Sequence, residues 1–379
     1  MTKCSLIVTT TFGLEKIVKN ELQDLGFDGF KTLDGKIEFE ATLEDIPRLN
    51  ISLRAADRVL LKLAEFKAVD FDALFEGVST VDWEKWIPKE AMITVTSSVT
   101  RSKIDSTRVC QSMVKKAIVE NLKKEYDVDW MSESGAEFTI KAAILKDVVL
   151  LTLDATGVGL HKRGYRQEAG EAPMRENLAA ALVLLSFWTK DRVLVDPMCG
   201  SGTILIEAAM LARNMAPGLN RSFAAEDWPY ISKECWEEAR VKAREQVDKN
   251  ATLQIFGFDS DTKRVEDSKI NANNAGVLDD IIFEQGDAKQ LELKHDYGIV
   301  ISNPPYGINI GSDYAIDLLY KSLNNIFKER PDWSLYLITA DKQFPEFFTR
   351  AKPDRVRKLY NGNIEAHYFQ YYGSRPPRN

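Results

Sequence analysis

Two short segments of the chain combine residue types that are suited to chemistry. Asn303–Gly307 reads Asn-Pro-Pro-Tyr-Gly and closely follows the apolar run Gly298–Ile301. Asp196–Thr203 reads Asp-Pro-Met-Cys-Gly-Ser-Gly-Thr and follows the apolar run Val193–Val195. The first is a rigid turn with several hydrogen-bond acceptors and an aromatic ring, and the second is an acid with a glycine turn that opens a helix. Together they predict a site for a nucleotide-like cofactor beside a site for a flat base that carries an amine.

The glycine turn narrows the class of cofactor. Gly200 and Gly202 lack side chains where the backbone must turn sharply and approach a ligand closely. A dinucleotide fingerprint requires a third glycine three residues after Gly202, and Leu205 occupies that position. A pyrophosphate would also be repelled by Asp196 at the start of the helix, whereas a ligand with an amino group would be attracted. The turn therefore favours S-adenosylmethionine over NAD.

Further acids follow the next two predicted strands. Asp259 and Asp261 end the second strand, where a carboxylate can accept both hydroxyls of a ribose, and we prefer Asp259 because it is nearer the strand. Asp287 follows the third strand and could accept a hydrogen bond from an adenine amine. Acids at the carboxyl ends of successive strands again favour S-adenosylmethionine. The predicted cofactor-binding residues are Asp196, Gly200, Gly202, Thr203, Asp259 and Asp287.

The Asn-Pro-Pro-Tyr segment is suited to methyl transfer onto an exocyclic amine. Such an amine is a poor nucleophile because its lone pair is delocalised into the ring. The Asn303 side-chain oxygen and the Pro304 carbonyl can each accept one N–H, and the two prolines hold these acceptors in place. A ring at Tyr306 can stack on the base. No strong general base is needed, and the predicted catalytic residues are Asn303, Pro304, Pro305 and Tyr306.

The elements that position these segments form an alternating pattern of strands and helices. Apolar, β-branched strands separated by helices predict an open, mostly parallel sheet that is covered on both faces, which is a Rossmann-like doubly wound α/β domain. In isolation Asn-Pro-Pro-Tyr would be a proline turn, but here it ends the fourth strand of a sheet whose first strand carries the glycine turn. The predicted strands are Arg192–Val195, Gln254–Phe258, Ile281–Glu284, Tyr297–Ile301, Ser334–Thr339 and His367–Tyr372.

The front part of the chain has a different pattern. Residues 1–60 follow a β-α-β-α order that predicts a ferredoxin-like unit. After them come a strand at Met92–Thr96, a polar turn at Ser97–Lys103, a helix rich in basic residues and a predicted hairpin at 138–154. Most lysines of that helix read as a solvated face. Basic side chains near a strand-to-helix turn favour phosphate, so Arg101, Lys103 and Arg108 are predicted to bind RNA. Lys162 and Arg163, in the passage into the last domain, are predicted to bind RNA as well.

Composition limits the classes of protein that fit. The chain has 379 residues, a net charge of −7 and a pI of about 5.3, so it is not coated in basic surface, although a local basic patch remains possible. The four cysteines are scattered and no histidine stands at ligand spacing, so we expect neither a disulfide framework nor a metal site. We also expect no signal peptide and no membrane span, a cytoplasmic location, and a monomer or weak homodimer.

On these residues the chain resembles the THUMP-domain class of RNA methyltransferases. Within that class it is most similar to the bacterial large-subunit (23S) ribosomal RNA guanine-N2 methyltransferases, which are often labelled N6-adenine-specific DNA methylases. The resemblance covers nearly the whole chain, including Leu-His-Lys-Arg-Gly-Tyr-Arg at Leu160–Arg166 and Ala-Pro-Met-Arg-Glu-Asn-Leu at Ala172–Leu178. It implies a ferredoxin-like region over 1–60, a THUMP RNA-binding domain over 61–163 and a Rossmann-like methyltransferase domain over 164–379.

The resemblance also implies function. It implies S-adenosylmethionine binding at the glycine turn, catalysis at the Asn-Pro-Pro-Tyr segment, and a THUMP module that holds RNA and places the target base. Some relatives carry a second fused methyltransferase domain, and since this sequence ends at Asn379 we expect a single methylation. The expected product is an N2-methylated guanine in ribosomal RNA.

Three alternatives remain open. N6-adenine methylation of DNA uses the same amine chemistry, but the front part resembles an RNA-binding module. A guanine in tRNA is a second possible target, because related THUMP enzymes act there. A non-catalytic RNA-binding or assembly factor is a third, although such a copy would be expected to lose some of the motif residues. Binding of S-adenosylmethionine would separate the last from the others.

Overall fold

The computed structural model describes residues 3–166, 174–305 and 313–377, and within them the strands form two seven-stranded sheets. The strands are β1 (Lys3–Thr9), β2 (Lys31–Leu33), β3 (Lys36–Thr42), β4 (Arg58–Lys67), β5 (Met92–Thr100), β6 (Glu137–Leu145), β7 (Val148–Asp154), β8 (Leu194–Asp196), β9 (Ile255–Asp259), β10 (Ile281–Gln285), β11 (Ile299–Ser302), β12 (Ser334–Thr339), β13 (Arg355–Asn361) and β14 (Ile364–Tyr371). The helices are α1 (Glu15–Asp24), α2 (Ile46–Ser52), α3 (Phe71–Ser79), α4 (Thr107–Glu125), α5 (Glu176–Leu184), α6 (Thr203–Ala212), α7 (Lys233–Glu245), α8 (Thr262–Ala275), α9 (Asp313–Glu329) and α10 (Phe344–Phe347).

The first sheet is continuous across the front part of the chain. Its strand order is β2-β3-β1-β4-β7-β6-β5, so β4 lies between β1 and β7 and pairs with both. Alternate residues of β4, Val59 and Leu61, belong to the same core as Val18 of α1 and Val114 of α4. The predicted boundary at residue 60 falls inside β4. The two predicted front domains therefore share one sheet.

The second sheet confirms the predicted Rossmann-like fold. Its order is β10-β9-β8-β11-β12-β14-β13, and its first five strands are parallel. In β11, Ile299 and Ile301 join the core on one face, while Val300 joins a separate cluster on the other. A strand that is buried on both faces must be apolar at every position, which explains the unbroken apolar run.

Several strands differ from the predictions. The polar turn predicted at Ser97–Lys103 starts later, because β5 continues to Thr100 while it pairs in parallel with β6. The strands β2, β4 and β13 have no predicted counterpart. The last of these is an exposed edge strand rich in Arg and Lys that pairs only with β14. Within residues 3–166, 174–305 and 313–377, no helix is long and apolar enough to cross a membrane.

A buried cluster of charged groups joins the front part of the chain to the part that carries the second sheet. Arg163 is 3% exposed, and its guanidinium donates to the carbonyls of Leu160 (2.6 Å) and Arg54 and approaches the carboxylate of Glu207 on α6 (3.4 Å). The Tyr165 hydroxyl donates to the same carboxylate at 3.2 Å. Arg163 was predicted to bind RNA, but burial against Glu207 leaves its guanidinium out of reach of a phosphate. The positive charge of Arg163 can be buried because the carboxylate of Glu207 lies beside it.

Removing the Arg163 guanidinium should destabilise the fold. In Arg163→Met the Glu207 carboxylate stays buried without its partner, so we expect the free energy of unfolding to fall by about 3 kcal/mol. The measurement is urea denaturation followed by circular dichroism and tryptophan fluorescence. Lys162→Met, at the exposed neighbouring position, is the matched control and should change stability by less than about 0.5 kcal/mol. Equal effects of the two substitutions would contradict a structural role for Arg163.

Candidate active site

The predicted cofactor and amine residues meet at one edge of the second sheet. The strands β10, β9, β8 and β11 are parallel neighbours, so their carboxyl ends lie side by side. Asp287 follows β10, Asp259 ends β9, Asp196 ends β8 and Asn303 follows β11. In open parallel sheets this edge is where ligands bind. The structure thus brings together four residues that span 108 positions of the sequence, from 196 to 303.

The glycine turn uses its two glycines differently. Gly200 and Gly202 both have left-handed backbones, with φ of 54° and 77°. A Cβ at Gly202 would lie 3.0 Å from the Ser268 Cβ and 3.1 Å from the Phe283 ring, so this glycine allows close packing against α8 and β10. A Cβ at Gly200 would have no neighbour within 4 Å. The turn is therefore packed beneath Gly202 and open above Gly200, which leaves room for a ligand.

Asp259 holds the glycine turn in place. One of its carboxylate oxygens accepts a hydrogen bond from the Gly200 N–H at 3.0 Å, and the other accepts from the Asp261 N–H at 3.0 Å. Asp261 is exposed, and its side chain caps α8 through the Lys263 N–H at 2.9 Å. Asp259 thus lies beside the turn while Asp261 serves its helix. This geometry supports the preference for Asp259 as the ribose acceptor.

Asp196 is the most deeply buried acid at this edge. Its side chain is 2% exposed, and one oxygen accepts hydrogen bonds from the Ser302 hydroxyl (2.6 Å) and the Met198 N–H (3.1 Å). Burial, with a smaller contribution from the Asp259 charge, raises the pKa of Asp196 to about 7. A cationic group next to this carboxylate would favour its ionised form. The surroundings of the Asp196 carboxylate are therefore suited to an ammonium group.

Asn303 carries an acceptor without a donor. Its side-chain oxygen is buried and has no hydrogen-bond partner in the described part of the chain. A buried acceptor in this state is costly, unless a ligand supplies the donor. Pro304 is buried and Pro305 is exposed, whereas Tyr306 lies outside the described residues. The unpaired oxygen fits the predicted grip on an amine.

A cavity of about 360 Å³ opens beside Asp287, on the face of the sheet away from α8. Its wall includes the apolar side chains of Pro197, Phe258, Ala288 and Leu291. Asp287 itself is half-buried and accepts a hydrogen bond from the Lys289 N–H at 3.0 Å. The wall also contains the charged side chains of Glu284, Glu292 and Lys294. The apolar part of the wall, with Asp287 at the rim, can hold a flat heterocycle with an amino group.

Two residues at this edge were not predicted. The Ser302 hydroxyl donates a hydrogen bond to Asp196. Its position directly before Asn303 could have indicated from the sequence that it lies at the site. Arg166 donates to the Thr203 hydroxyl (2.8 Å) and to the Met174 carbonyl (2.9 Å). Arg166 and Thr203 are 37 positions apart, and no pattern in the sequence predicts a contact between them. Only the folded structure shows it.

The predicted RNA-binding residues lie at two separate places. Arg101, Lys103 and Arg108 are exposed at the end of the first sheet where β5 and β6 finish. Lys162 is exposed at the other end, next to the methyltransferase part. The strand β4 runs between these ends over ten residues, so they are about 30 Å apart.

Comparison with known proteins gives the family. The family model described as the RMKL-like methyltransferase domain matches residues 163–370, the RlmL ferredoxin-like domain matches 5–60 and the THUMP domain matches 68–154. A Bacillus subtilis protein named as a candidate RNA methyltransferase, YpsC, is 43% identical over 100% of this chain and 98% of its own length. The ribosomal RNA large subunit methyltransferase K/L of Psychromonas ingrahamii is 35% identical over 96% of this chain. The chain spans 49% of that relative's length.

A solved structure agrees with both sequence comparisons. SMU.472, described as a candidate methyltransferase in complex with S-adenosylhomocysteine (SAH), superposes with a TM-score of 0.94 at 38% identity, and the match covers 100% of both chains. The open space above Gly200 and the acids at three strand ends fit the same cofactor. The chain belongs to the RMKL-like family of methyltransferases and uses S-adenosylmethionine.

Proposed function

We propose that the protein methylates the exocyclic N2 amine of a guanine in RNA, with 23S ribosomal RNA as the favoured substrate. The observation that carries the proposal is the buried Asn303 oxygen at the cofactor edge of the sheet, to which no described residue donates a hydrogen bond. Relatives named as RNA and ribosomal RNA methyltransferases, together with the THUMP match, support RNA as the substrate class. Because the chain spans about half of the K/L relatives, their substrate is carried over only as a proposal.

The chemistry at Asn303 follows from what an aromatic amine lacks. When S-adenosylmethionine is bound, it supplies an electrophilic methyl group on a sulfonium. The Asn303 oxygen and the Pro304 carbonyl accept hydrogen bonds from the two N–H groups of the amine. These bonds turn the nitrogen lone pair out of conjugation with the ring and aim it at the methyl. These acceptors also stabilise the positive charge that develops on the nitrogen. The proton leaves after transfer, so positioning and electrostatics supply the rate.

Each acid at a strand end is assigned to a different group of the cofactor. We assign the ammonium group to Asp196, the ribose hydroxyls to Asp259 and the adenine amine to Asp287. The hydrogen bond between Asp196 and Ser302 places the ammonium end of the cofactor close to the strand that carries Asn303. The methyl donor and the amine clamp are thereby held at neighbouring strands.

Cations crowd the junction between the first sheet and the methyltransferase part. Burial lowers the pKa of His161 to about 4, and the charges of Arg175, Lys162, Arg163 and Arg58 add to the effect. Lys162 and Arg175 are exposed, and within the described residues neither forms an ion pair, while the charge of Arg175 acts on the Asp57 carboxylate. Exposed cations without acidic partners are suited to phosphate contacts. We propose that RNA crosses this junction on its way to Asn303.

The first test is nucleoside mass spectrometry after incubation with S-adenosylmethionine and unmodified 23S ribosomal RNA, tRNA or genomic DNA. We expect N2-methylguanosine confined to ribosomal RNA. N2-methylguanosine in tRNA alone would replace the substrate, and N6-methyladenine in DNA would overturn the RNA assignment. Asn303→Ala is the control, and it should lower the transfer rate at least about 100-fold while SAH affinity stays unchanged. Normal turnover in that variant would contradict the amine clamp.

Cofactor affinity should depend on pH through Asp196. Its carboxyl group has a pKa of about 7 and must be ionised to pair with an ammonium group, so affinity is highest above that pH and falls as the pH drops through it. Between pH 8 and pH 6 we expect the Kd of SAH to rise about tenfold in isothermal titration calorimetry. Asp196→Asn should bind more weakly with little pH dependence. A flat wild-type profile would contradict the role of Asp196.

Salt dependence tests the junction cations. In filter binding to 23S ribosomal RNA, Lys162→Gln and Arg175→Gln should each reduce the slope of log affinity against log salt by about 0.7 to 0.9, as the loss of one phosphate contact requires. Lys124→Gln, which removes an exposed charge near the end of α4, is the matched control and should leave the slope unchanged. Equal slopes in all four proteins would show that the RNA does not cross the junction.

A further inference from the structure

The junction segment comprises residues 155–166, which follow β7. Arg166 lies where this segment reaches the cofactor edge of the second sheet. Its side chain is 10% exposed, and its Nη2 donates to the Thr203 hydroxyl at 2.8 Å and to the Met174 carbonyl at 2.9 Å. The Glu176 carboxylate is 3.7 Å away. These contacts fix the guanidinium beside the first residue of α6.

One donor of the Arg166 guanidinium, its Nε–H, has no acceptor among the described residues. The Nε atom is buried. A buried N–H of a charged group is unfavourable without an acceptor. In an arginine the Nε–H points to the same side as Nη2, so this donor is directed towards the Thr203 side of the guanidinium.

The start of α6 offers further donors at the same place. Its N-cap is Gly202, which has no side chain to cap the helix. The first helical hydrogen bond runs from the Ile206 N–H to the Gly202 carbonyl, so the N–H groups of Thr203, Ile204 and Leu205 have no partner within the helix. Uncapped N–H groups and the helix dipole favour an anion.

We propose that Arg166 and the start of α6 bind the α-carboxylate of S-adenosylmethionine. This inference rests on the cofactor part of the proposed function and not on the RNA target. The carboxylate is the only anionic group of the cofactor, and Arg166 is a buried cation with a free donor next to uncapped N–H groups. Asp196 takes the ammonium group at the end of β8. The two charges of the amino-acid end of the cofactor are thus held by opposite charges of the protein.

The test compares two ligands that differ only in the carboxylate. Isothermal titration calorimetry without RNA is used to measure binding of S-adenosylmethionine and of decarboxylated S-adenosylmethionine to the wild type, Arg166→Gln and Arg166→Lys. In Arg166→Gln we expect a loss of about 10- to 100-fold in affinity for S-adenosylmethionine and a change of less than about twofold for the decarboxylated ligand. Arg166→Lys keeps the charge without the Nε donor and should fall between the two.

Two outcomes would overturn the proposal. If both ligands weaken by the same factor in Arg166→Gln, then Arg166 only ties Thr203 to Met174. If the wild type binds S-adenosylmethionine and its decarboxylated form equally well, the carboxylate has no subsite. This comparison uses only the wild-type protein, so it does not depend on the folding of a variant. Failure of the wild type to bind either ligand would instead contradict the cofactor assignment. Methylated product on tRNA or DNA in the nucleoside assay would change the target and leave the carboxylate subsite standing.

Discussion

The hydrogen bond from Ser302 to Asp196 is the contact on which the site depends. It joins the end of β11 to the end of β8, two parallel neighbours whose registers are fixed by pairs such as Val300 with Val195. Asp196, to which we assign the ammonium group of the cofactor, and Ser302, which precedes the proposed amine clamp, are therefore joined by a hydrogen bond of 2.6 Å. Because of this contact the donor half and the acceptor half of the site cannot shift independently.

The site concentrates polar groups that the fold leaves without full partners. Asp196 is buried as an acid whose pKa is raised to about 7. Among the described residues, the buried Asn303 oxygen has no donor and the buried Arg166 Nε has no acceptor. Each arrangement costs stability in the absence of a ligand. The apolar clusters on both faces of the second sheet offset these costs. Such groups are arranged for a ligand with an ammonium group, a carboxylate and a substrate amine, which is how binding energy is directed to the reaction.

Local patterns in the sequence predict the second sheet and its motif residues, whereas contacts between distant segments escape them. The strands β8 to β12 are apolar runs, and Asp196, Asp259 and Asn303 stand at their ends, so their meeting follows from parallel topology alone. The burial of Arg163 could not be predicted, because its partner Glu207 lies 44 residues away on a different element. The edge strand β13 was missed for a related reason, since its charged residues lack the apolar signal and only its pairing with β14 defines it.

The helix α6 explains how an RNA module and a cofactor site can share one rigid frame. Arg163 and Arg166 are three positions apart in the junction segment, and they contact Glu207 and Thr203, which are four positions apart on α6. Four residues make about one helical turn, so both contacts fall on one face of the helix. The segment that leaves the first sheet is thereby fastened along the same helix that begins at the glycine turn. On the proposal that RNA crosses the junction, these two contacts hold the junction cations relative to the cofactor edge, where Asn303 lies.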